Sequence, residues 1–216
     1  MARGLFVTGT STEVGKTVVA AMIARTLAAD GQRVAVFKPA VTGLDEGVET
    51  DHELLRRAAG SDQSDEEIAP YRYGPPASPH LAAALAGEEI DPERLKVAAS
   101  AAAAGADAIV CEGVGGFLVP LSPGYLVRDL AVDLGYPLVV VAAPGLGTIN
   151  HTLLTIEAAR AAGLEVAAVV LNPWPGEPSE IERSNCETIA TLGEVEVLAL
   201  PEIDLGDPSG WPQIRI

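Results

Sequence analysis

Residues Gly9 to Thr17 read Gly-Thr-Ser-Thr-Glu-Val-Gly-Lys-Thr, and they stand between an apolar run, Gly4 to Thr8, and a segment of helical periodicity, Lys16 to Ala29. A glycine-containing turn that leads from a strand straight into a helix gathers the free N–H groups of the helix start at one point, where the helix dipole also favours negative charge. With Gly15-Lys16-Thr17 at the end of the turn, the segment reads as a phosphate loop. Gly15 allows the backbone close to phosphate oxygens, Lys16 neutralises the β- and γ-phosphates, and the Thr17 hydroxyl is suited to ligate Mg²⁺. The common form of the loop, Gly-x-x-x-x-Gly-Lys, would put its first glycine at Thr10; here Gly9 lies one residue early.

A strand, loop and helix of this kind needs a sheet to belong to, and the rest of the chain supplies one. Strands are predicted over Arg33–Phe37, Ala106–Cys111, Pro137–Ala143, Val166–Leu171 and Val195–Leu200. Helices are predicted over Asp51–Ala59 with Thr50 as cap, Pro79–Ala86, Pro92–Ala104, Tyr125–Leu134, Asn150–Ala162 and Ser179–Leu192. Ala40 to Glu49 and the polar, Pro-rich stretch 60–79 read as loops, and Val18, Ala21, Met22 and Leu27 as the inward stripe of the first helix. Alternating strands and helices imply an α/β fold with a doubly wound, mostly parallel sheet and helices on both faces, of the phosphate-loop NTPase type. The turns Thr8-Gly9, Lys38-Pro39, Glu112-Gly113, Pro144-Gly145, Asn172-Pro173 and Pro201-Glu202 all follow strands, so one rim of the sheet can hold a whole site.

At 216 residues, with no break in composition, the chain reads as a single domain, 1–216. Its start has neither the basic segment nor the long apolar run of a signal peptide or anchor, so a cytoplasmic location without membrane contact is expected. Cys111 and Cys186 form no CxxC pair, which argues against a disulfide framework or a zinc site. A formal charge of −16 and the lack of a basic cluster argue against nucleic acid as a partner, and any bound anion must be held locally.

Beyond the loop, Glu112 ends an apolar strand and is followed by Gly113-Val114-Gly115-Gly116, which brings a carboxylate to the rim where a Mg²⁺ ligand belongs. Asp51, at a helix start, is a second candidate ligand, although charge complementarity to the helix explains that position equally well. Lys38 lies on the same rim, where it could neutralise a second anion attacking the γ-phosphate, with Thr42 near it in sequence; a lone strand-end lysine is ordinarily solvated. Gly145 to His151 leads into a helix and offers free N–H groups to a carboxylate. His52, His80 and His151 have no accompanying acid or nucleophile pattern and are read as non-catalytic.

Taken in order, Gly9-Thr10-x-Thr12-x-Val14-Gly15-Lys16-Thr17, Lys38-Pro39-x-x-Thr42-Gly43, Ser78-Pro79-His80, Glu112-Gly113-x-Gly115-Gly116 and Gly147-Thr148-Ile149-Asn150-His151 resemble the dethiobiotin synthetase family at matching intervals, from Phe6 to about Ile203. The resemblance implies an ATP- or other NTP-dependent ligase of biotin synthesis, acting on 7,8-diaminononanoate and carbon dioxide as a homodimer. It implies Mg²⁺ on Thr17, Asp51 and Glu112, and the triphosphate held by Glu13, Val14, Gly15, Lys16, Thr17 and Val18, with the Gly113, Val114 and Gly115 segment also at the nucleotide. Lys16 and Lys38 become the catalytic lysines and Thr42 a substrate contact. Asn172, Pro201, Glu202 and Ile203 become contacts to the base, and Gly147, Thr148, Ile149 and Asn150 the site of the substrate carboxylate. Segment 174–187 carries little that matches, with Asn185 as a weak candidate for a contact across the dimer.

Two other classes share such a nucleotide domain. A switch of the partitioning or Min type would carry a lysine early in the loop, where Ser11 stands, and a basic or amphipathic target surface. An amide ligase of the cobyrinate or cobyrate synthetase type would need an attached glutaminase domain, for which 216 residues leave no room.

Overall fold

The computed structural model describes residues 3–44, 49–207 and 210–216; positions 45–48 of the expected loop Ala40–Glu49, and the first two residues of the chain, lie outside them. Strands β1 (Arg3–Gly9), β2 (Val34–Phe37), β3 (Ala108–Glu112), β6 (Leu138–Ala142), β7 (Val166–Trp174) and β8 (Val197–Pro201) form one parallel sheet in the order β2-β3-β1-β6-β7-β8. Five residues each of β3 and β6 are buried without interruption, as strands covered on both faces must be. The chain reverses direction across the sheet on either side of β1, and the turn after β1 lies in the crevice this creates.

Parallel register sets the rim. Val7 pairs with Glu112 and Gly9 with Val141, so the loop leaving β1 and the carboxylate ending β3 come out side by side. Backbone bonds extend that alignment past the strands, from Thr10 N–H to the Val141 carbonyl at 3.0 Å and from Gly113 N–H to the Val7 carbonyl at 2.9 Å.

Helix α1 (Lys16–Ala29) departs from the expected stripe. Val19, Ala20, Ala21, Met22, Ile23 and Ala24 are all buried, while Val18 and Leu27 are only partly so. Its outer side is covered by α2 (Asp51–Ala59) and by the C-terminal tail, where Trp211 and Ile214 join the same core cluster. The tail is pinned by Ile214 N–H donating to Thr26 Oγ1 at 3.1 Å, by Arg215 pairing with Asp30 at 2.7 Å and by Trp211 Nε1 donating to the Asp204 carbonyl at 2.8 Å.

Several boundaries move from expectation. The stretch 60–79 contains a short helix, α3 (Asp65–Ile68), whose Ser64 and Glu67 form a reciprocal capping box, a Ser-x-x-Glu signal readable in the sequence. The helix expected from Tyr125 begins two residues later as α6 (Val127–Leu134). The reason is that β5 (Tyr125–Leu126) folds back on β4 (Pro120–Ser122) around Pro123-Gly124. Helix α7 (Thr148–Ala161) begins two residues earlier than expected, straight after Gly147, and β7 runs on to Trp174. The remaining helices, α4 (Pro79–Leu85), α5 (Pro92–Ala103) and α8 (Glu180–Gly193), follow their predicted spans to within two residues.

Candidate functional site

The phosphate loop closes on a glycine that nothing else could replace. Gly15 takes φ 82° as N-cap of α1, and a Cβ built there would lie 2.0 Å from Asn172 Nδ2. Asn172, at the end of β7, is buried and donates to the Val14 carbonyl at 3.1 Å, which holds the loop from the side of the sheet. Glu13 also adopts a positive φ, 59°. Lys16 folds back over the loop, its ammonium donating to the Ser11 carbonyl at 2.9 Å. Burial pulls the Lys16 pKa down, with Glu112 opposing that shift.

Four side chains meet beside the loop. Lys38 Nζ lies 2.6 Å from Glu112 Oε1 and 2.8 Å from Asp51 Oδ2, and Thr17 Oγ1 lies 2.8 Å from Glu112 Oε1 and 2.9 Å from Asp51 Oδ1. The single proton of the Thr17 hydroxyl serves one of these two carboxylates at a time. Lys38 is only 2% exposed and Glu112 fully buried, so the ordinary expectation of a solvated strand-end lysine is overturned. Burial alone would depress the Lys38 ammonium, but the Glu112 and Asp51 carboxylates outweigh it and hold it above the usual lysine value. Asp51 is more than the helix-start charge it resembles in sequence. Burial would raise its pKa, yet Lys38 holds it below the usual aspartate value.

Glu112 Oε2 is buried and, among the described residues, has no hydrogen-bond partner. Native folds rarely leave such an acceptor orphaned, so the atom points to something that completes it. Two carboxylates and a hydroxyl are the hard oxygen donors that Mg²⁺ takes alongside phosphate oxygens and water. No group of three or more His, Cys, Asp or Glu among the described residues is placed to hold a metal alone. An ion here would therefore draw its other ligands from phosphate and solvent, which fits the donor set.

The glycine run after Glu112 crosses directly over the phosphate loop. A Cβ on Gly116 would lie 3.7 Å from the Thr10 carbonyl oxygen, one on Gly115 3.7 Å from Thr12 Cγ2, and one on Gly113 2.9 Å from Val127 Cγ1. Val114 between them is half-buried against the core. Val18 packs on the core side of α1. Pro201 and Glu202 are exposed at the end of β8, with Ile203 packed against the cluster that holds α1, and β8 lies next to β7, which carries Asn172. Thr42 is half-buried in a segment held by Tyr71, Tyr73 and Pro75 through Val41, Gly43 and Leu44. Among the described residues no hydrogen bond links it to the Lys38 cluster.

The start of α7 lies across a cavity from Thr10 and the glycine run. Gly147 (φ 91°) is its N-cap, Thr148 is buried, Ile149 half-buried and Asn150 exposed. A cavity of about 300 Å³ opens between Thr10, the Gly116–Val119 segment and the outer face of α7 at His151, Leu154 and Thr155. His151 thus faces a cavity, whereas His80 is exposed and His52 is buried with Nδ1 2.9 Å from Thr50 Oγ1. The sequence offers Asn185 as a weak candidate for a contact across a dimer. It is turned into the fold, 7% exposed, with its amide on the turn that leads to α7, and its neighbour Cys186, like Cys111, is a free thiol.

A family model described as the AAA domain matches residues 3–208. A protein of Anaeromyxobacter dehalogenans named ATP-dependent dethiobiotin synthetase BioD is 46% identical over 92% of this chain and 89% of its own length. Proteins of the same name from Bacillus subtilis and Rhodococcus erythropolis are 36% and 41% identical, over 92% and 94% of this chain and 86% and 89% of theirs. Among solved structures, the 54 kDa protein of the signal recognition particle from Aeropyrum pernix, in complex with GDP, aligns with a TM-score of 0.55. That alignment covers 95% of this chain and 42% of that one at 15% identity, a likeness of fold.

Proposed function

We propose that this chain, which belongs to the AAA domain family and to the ATP-dependent dethiobiotin synthetases, is a ligase that closes the ureido ring of dethiobiotin on 7,8-diaminononanoate and carbon dioxide, a step of biotin biosynthesis. The observation that carries the reading is the buried Lys38 between Glu112 and Asp51, next to Thr17 of the phosphate loop. Nucleotide binding alone calls for no second lysine there.

In this reading one amine takes up carbon dioxide as a carbamate and gives up a proton. A carbamate oxygen attacks the γ-phosphorus, ADP leaves, and the second amine then attacks the carbamoyl carbon, expels phosphate and gives up a proton to solvent. Lys16 and the N–H groups from Glu13 to Val18 hold the triphosphate, while Lys38 brings the carbamate to it against charge repulsion and Thr42 lies on the substrate side. Thr17, Asp51 and Glu112 would hold Mg²⁺, which when bound neutralises charge building on the transferring phosphoryl group. No protein nucleophile is required. We assign the base to Asn172 and the turn Pro201–Ile203, with the Gly113–Gly115 segment closing over the nucleotide.

The substrate carboxylate is assigned to the start of α7, Gly147 to Asn150, where first-turn N–H groups and the helix dipole meet it. The cavity beside α7 suits the hydrocarbon chain. Leu118 and Leu154 line it at 54% and 57% exposure, Leu146 in the turn before α7 is 97% exposed, and we assign a second copy of the chain to cover them as a homodimer. Among the described residues no helix is long and apolar enough to cross a membrane, and we read the whole chain as one synthetase domain working in the cytoplasm.

The test is phosphate release from Mg²⁺-ATP with 7,8-diaminononanoate and bicarbonate, against mixtures lacking each. Release only in the complete mixture, matched by dethiobiotin, is expected; diamine-independent hydrolysis would instead mark a nucleotide switch. Lys38→Met keeps the stem and removes the charge. Turnover should fall by roughly 10²- to 10³-fold while ATP affinity stays within a few-fold. An unchanged rate would remove Lys38 from the chemistry.

A further inference from the structure

Helices α1 and α7 begin alike. Each has a glycine in the left-handed region as N-cap, no side-chain cap and no acidic residue in its first turn among the described residues. In both, the turn before the helix is held by a buried asparagine from farther along the chain. Asn172 donates to the Val14 carbonyl, and Asn185 on α8 donates through one amide nitrogen to the Pro144 carbonyl at 2.9 Å and the Gly145 carbonyl at 3.2 Å. Each asparagine is 7% exposed. The Gly145 carbonyl also accepts from Thr148 N–H at 3.2 Å, so a single oxygen ties α8, the turn and the first residue of α7 together.

This anchoring has a directional consequence. In a trans peptide the carbonyl and the N–H point opposite ways. Carbonyls 144 and 145 drawn toward α8 therefore turn the N–H groups of Gly145 and Leu146 away from it, ahead of the α7 first turn, where the Gly145 carbonyl takes the Thr148 N–H and the N–H groups of Ile149 and Asn150 follow. Leu146, at 97% exposure, has no packing of its own to hold those peptide planes.

We propose that Asn185 is a positioning residue for recognition of the substrate's carboxylate: it does for the α7 turn what Asn172 does for the phosphate loop. It touches no substrate and acts only through the orientation of residues 144–148. The inference rests on the assignment of the carboxylate to the α7 start.

The experiment measures KM and kcat for 7,8-diaminononanoate and for its uncharged carboxamide, together with KM for ATP and the unfolding temperature. The wild-type chain is compared with Asn185→Leu and Asn185→Asp, two replacements of similar size that lack the amide donors. Expected is a rise of roughly tenfold in KM for the acid, little change for the carboxamide, and an unchanged KM for ATP. The wild-type preference for the acid should thereby shrink toward unity. Variants that keep the wild-type preference would overturn the role of Asn185. Equal losses for acid, carboxamide and ATP would overturn it too, by marking Asn185 as merely structural. A wild-type enzyme indifferent to the carboxylate would bring down the underlying assignment, and Asn185's role with it, before any variant is compared.

Discussion

The starts of α1 and α7 share their backbone geometry and differ in nearly everything around it. At α1 the loop is enclosed: Lys16, Lys38 and Glu112 are buried there, and a Cβ on Gly15 would collide with Asn172. At α7 the turn is open. A Cβ on Gly147 would meet only His151 Cε1 at 3.7 Å, and the neighbouring large side chain, Leu146, is in solvent. On the proposed assignment, the contrast fits what each start would hold. A triphosphate beside two carboxylates needs buried cations to offset their mutual repulsion, and buried charges must be paired. A single carboxylate is matched by oriented N–H groups and a helix dipole, with no lysine.

Replacing the two glycines tests that contrast most directly. Gly15→Ala adds a methyl 2.0 Å from Asn172 Nδ2 at a φ of 82°, so the loop and its anchor both have to move. Turnover should fall by about 10²-fold or more, with a parallel loss of ATP affinity measured by calorimetry. Wild-type affinity in this variant would break the claim that the α1 start is the enclosed one. Asn172→Ala should have the next largest effect, weakening ATP roughly tenfold while leaving KM for the diamine alone, the reverse of the pattern expected for Asn185. Loss of both affinities together would show that the two turns are not independent.

Gly147→Ala should matter least, because the new methyl meets no close neighbour. What remains is left-handed strain of about 1–2 kcal/mol, read as a fall in unfolding temperature of about 2–4 °C per kcal/mol. KM for the diamine should rise a few-fold and ATP affinity hold. An effect as large as that of Gly15→Ala would erase the difference between the two helix starts.

Local sequence carried much of this protein. The strand, the loop and the helix that opens the chain are set by short-range pattern, and so is the alternation that demands a parallel sheet, because backbone geometry and apolar periodicity act over a few residues. Lys16 and Thr17 were legible for the same reason: their roles follow from their place in the loop. The α3 and β4–β5 segments carried readable signals as well: Ser64-x-x-Glu67, set in a polar, Pro-rich stretch that reads as loop, and Pro123-Gly124, set in an apolar run that reads on into a helix from Tyr125. Lys38, Asp51 and Asn185 were different. Lys38 and Asp51 have ordinary explanations in sequence, as a solvated lysine and a helix-start charge, and Asn185 stands in a segment with little to match it.

Their partners lie far along the chain, Lys38 and Glu112 being 74 residues apart, Thr17 and Glu112 95, and Asn185 and Pro144 41. Strand register brings the first two pairs together, and the packing of α8 against the turn before α7 brings the third; both are properties of the assembled fold. The same holds for the tail, whose Trp211 and Ile214 complete the burial of α1. The residue types able to bind phosphate and metal were written in the chain. Which of them lost their water and gained a charged neighbour was decided by packing, because desolvation and ion pairing depend on distance in space and not on separation in sequence.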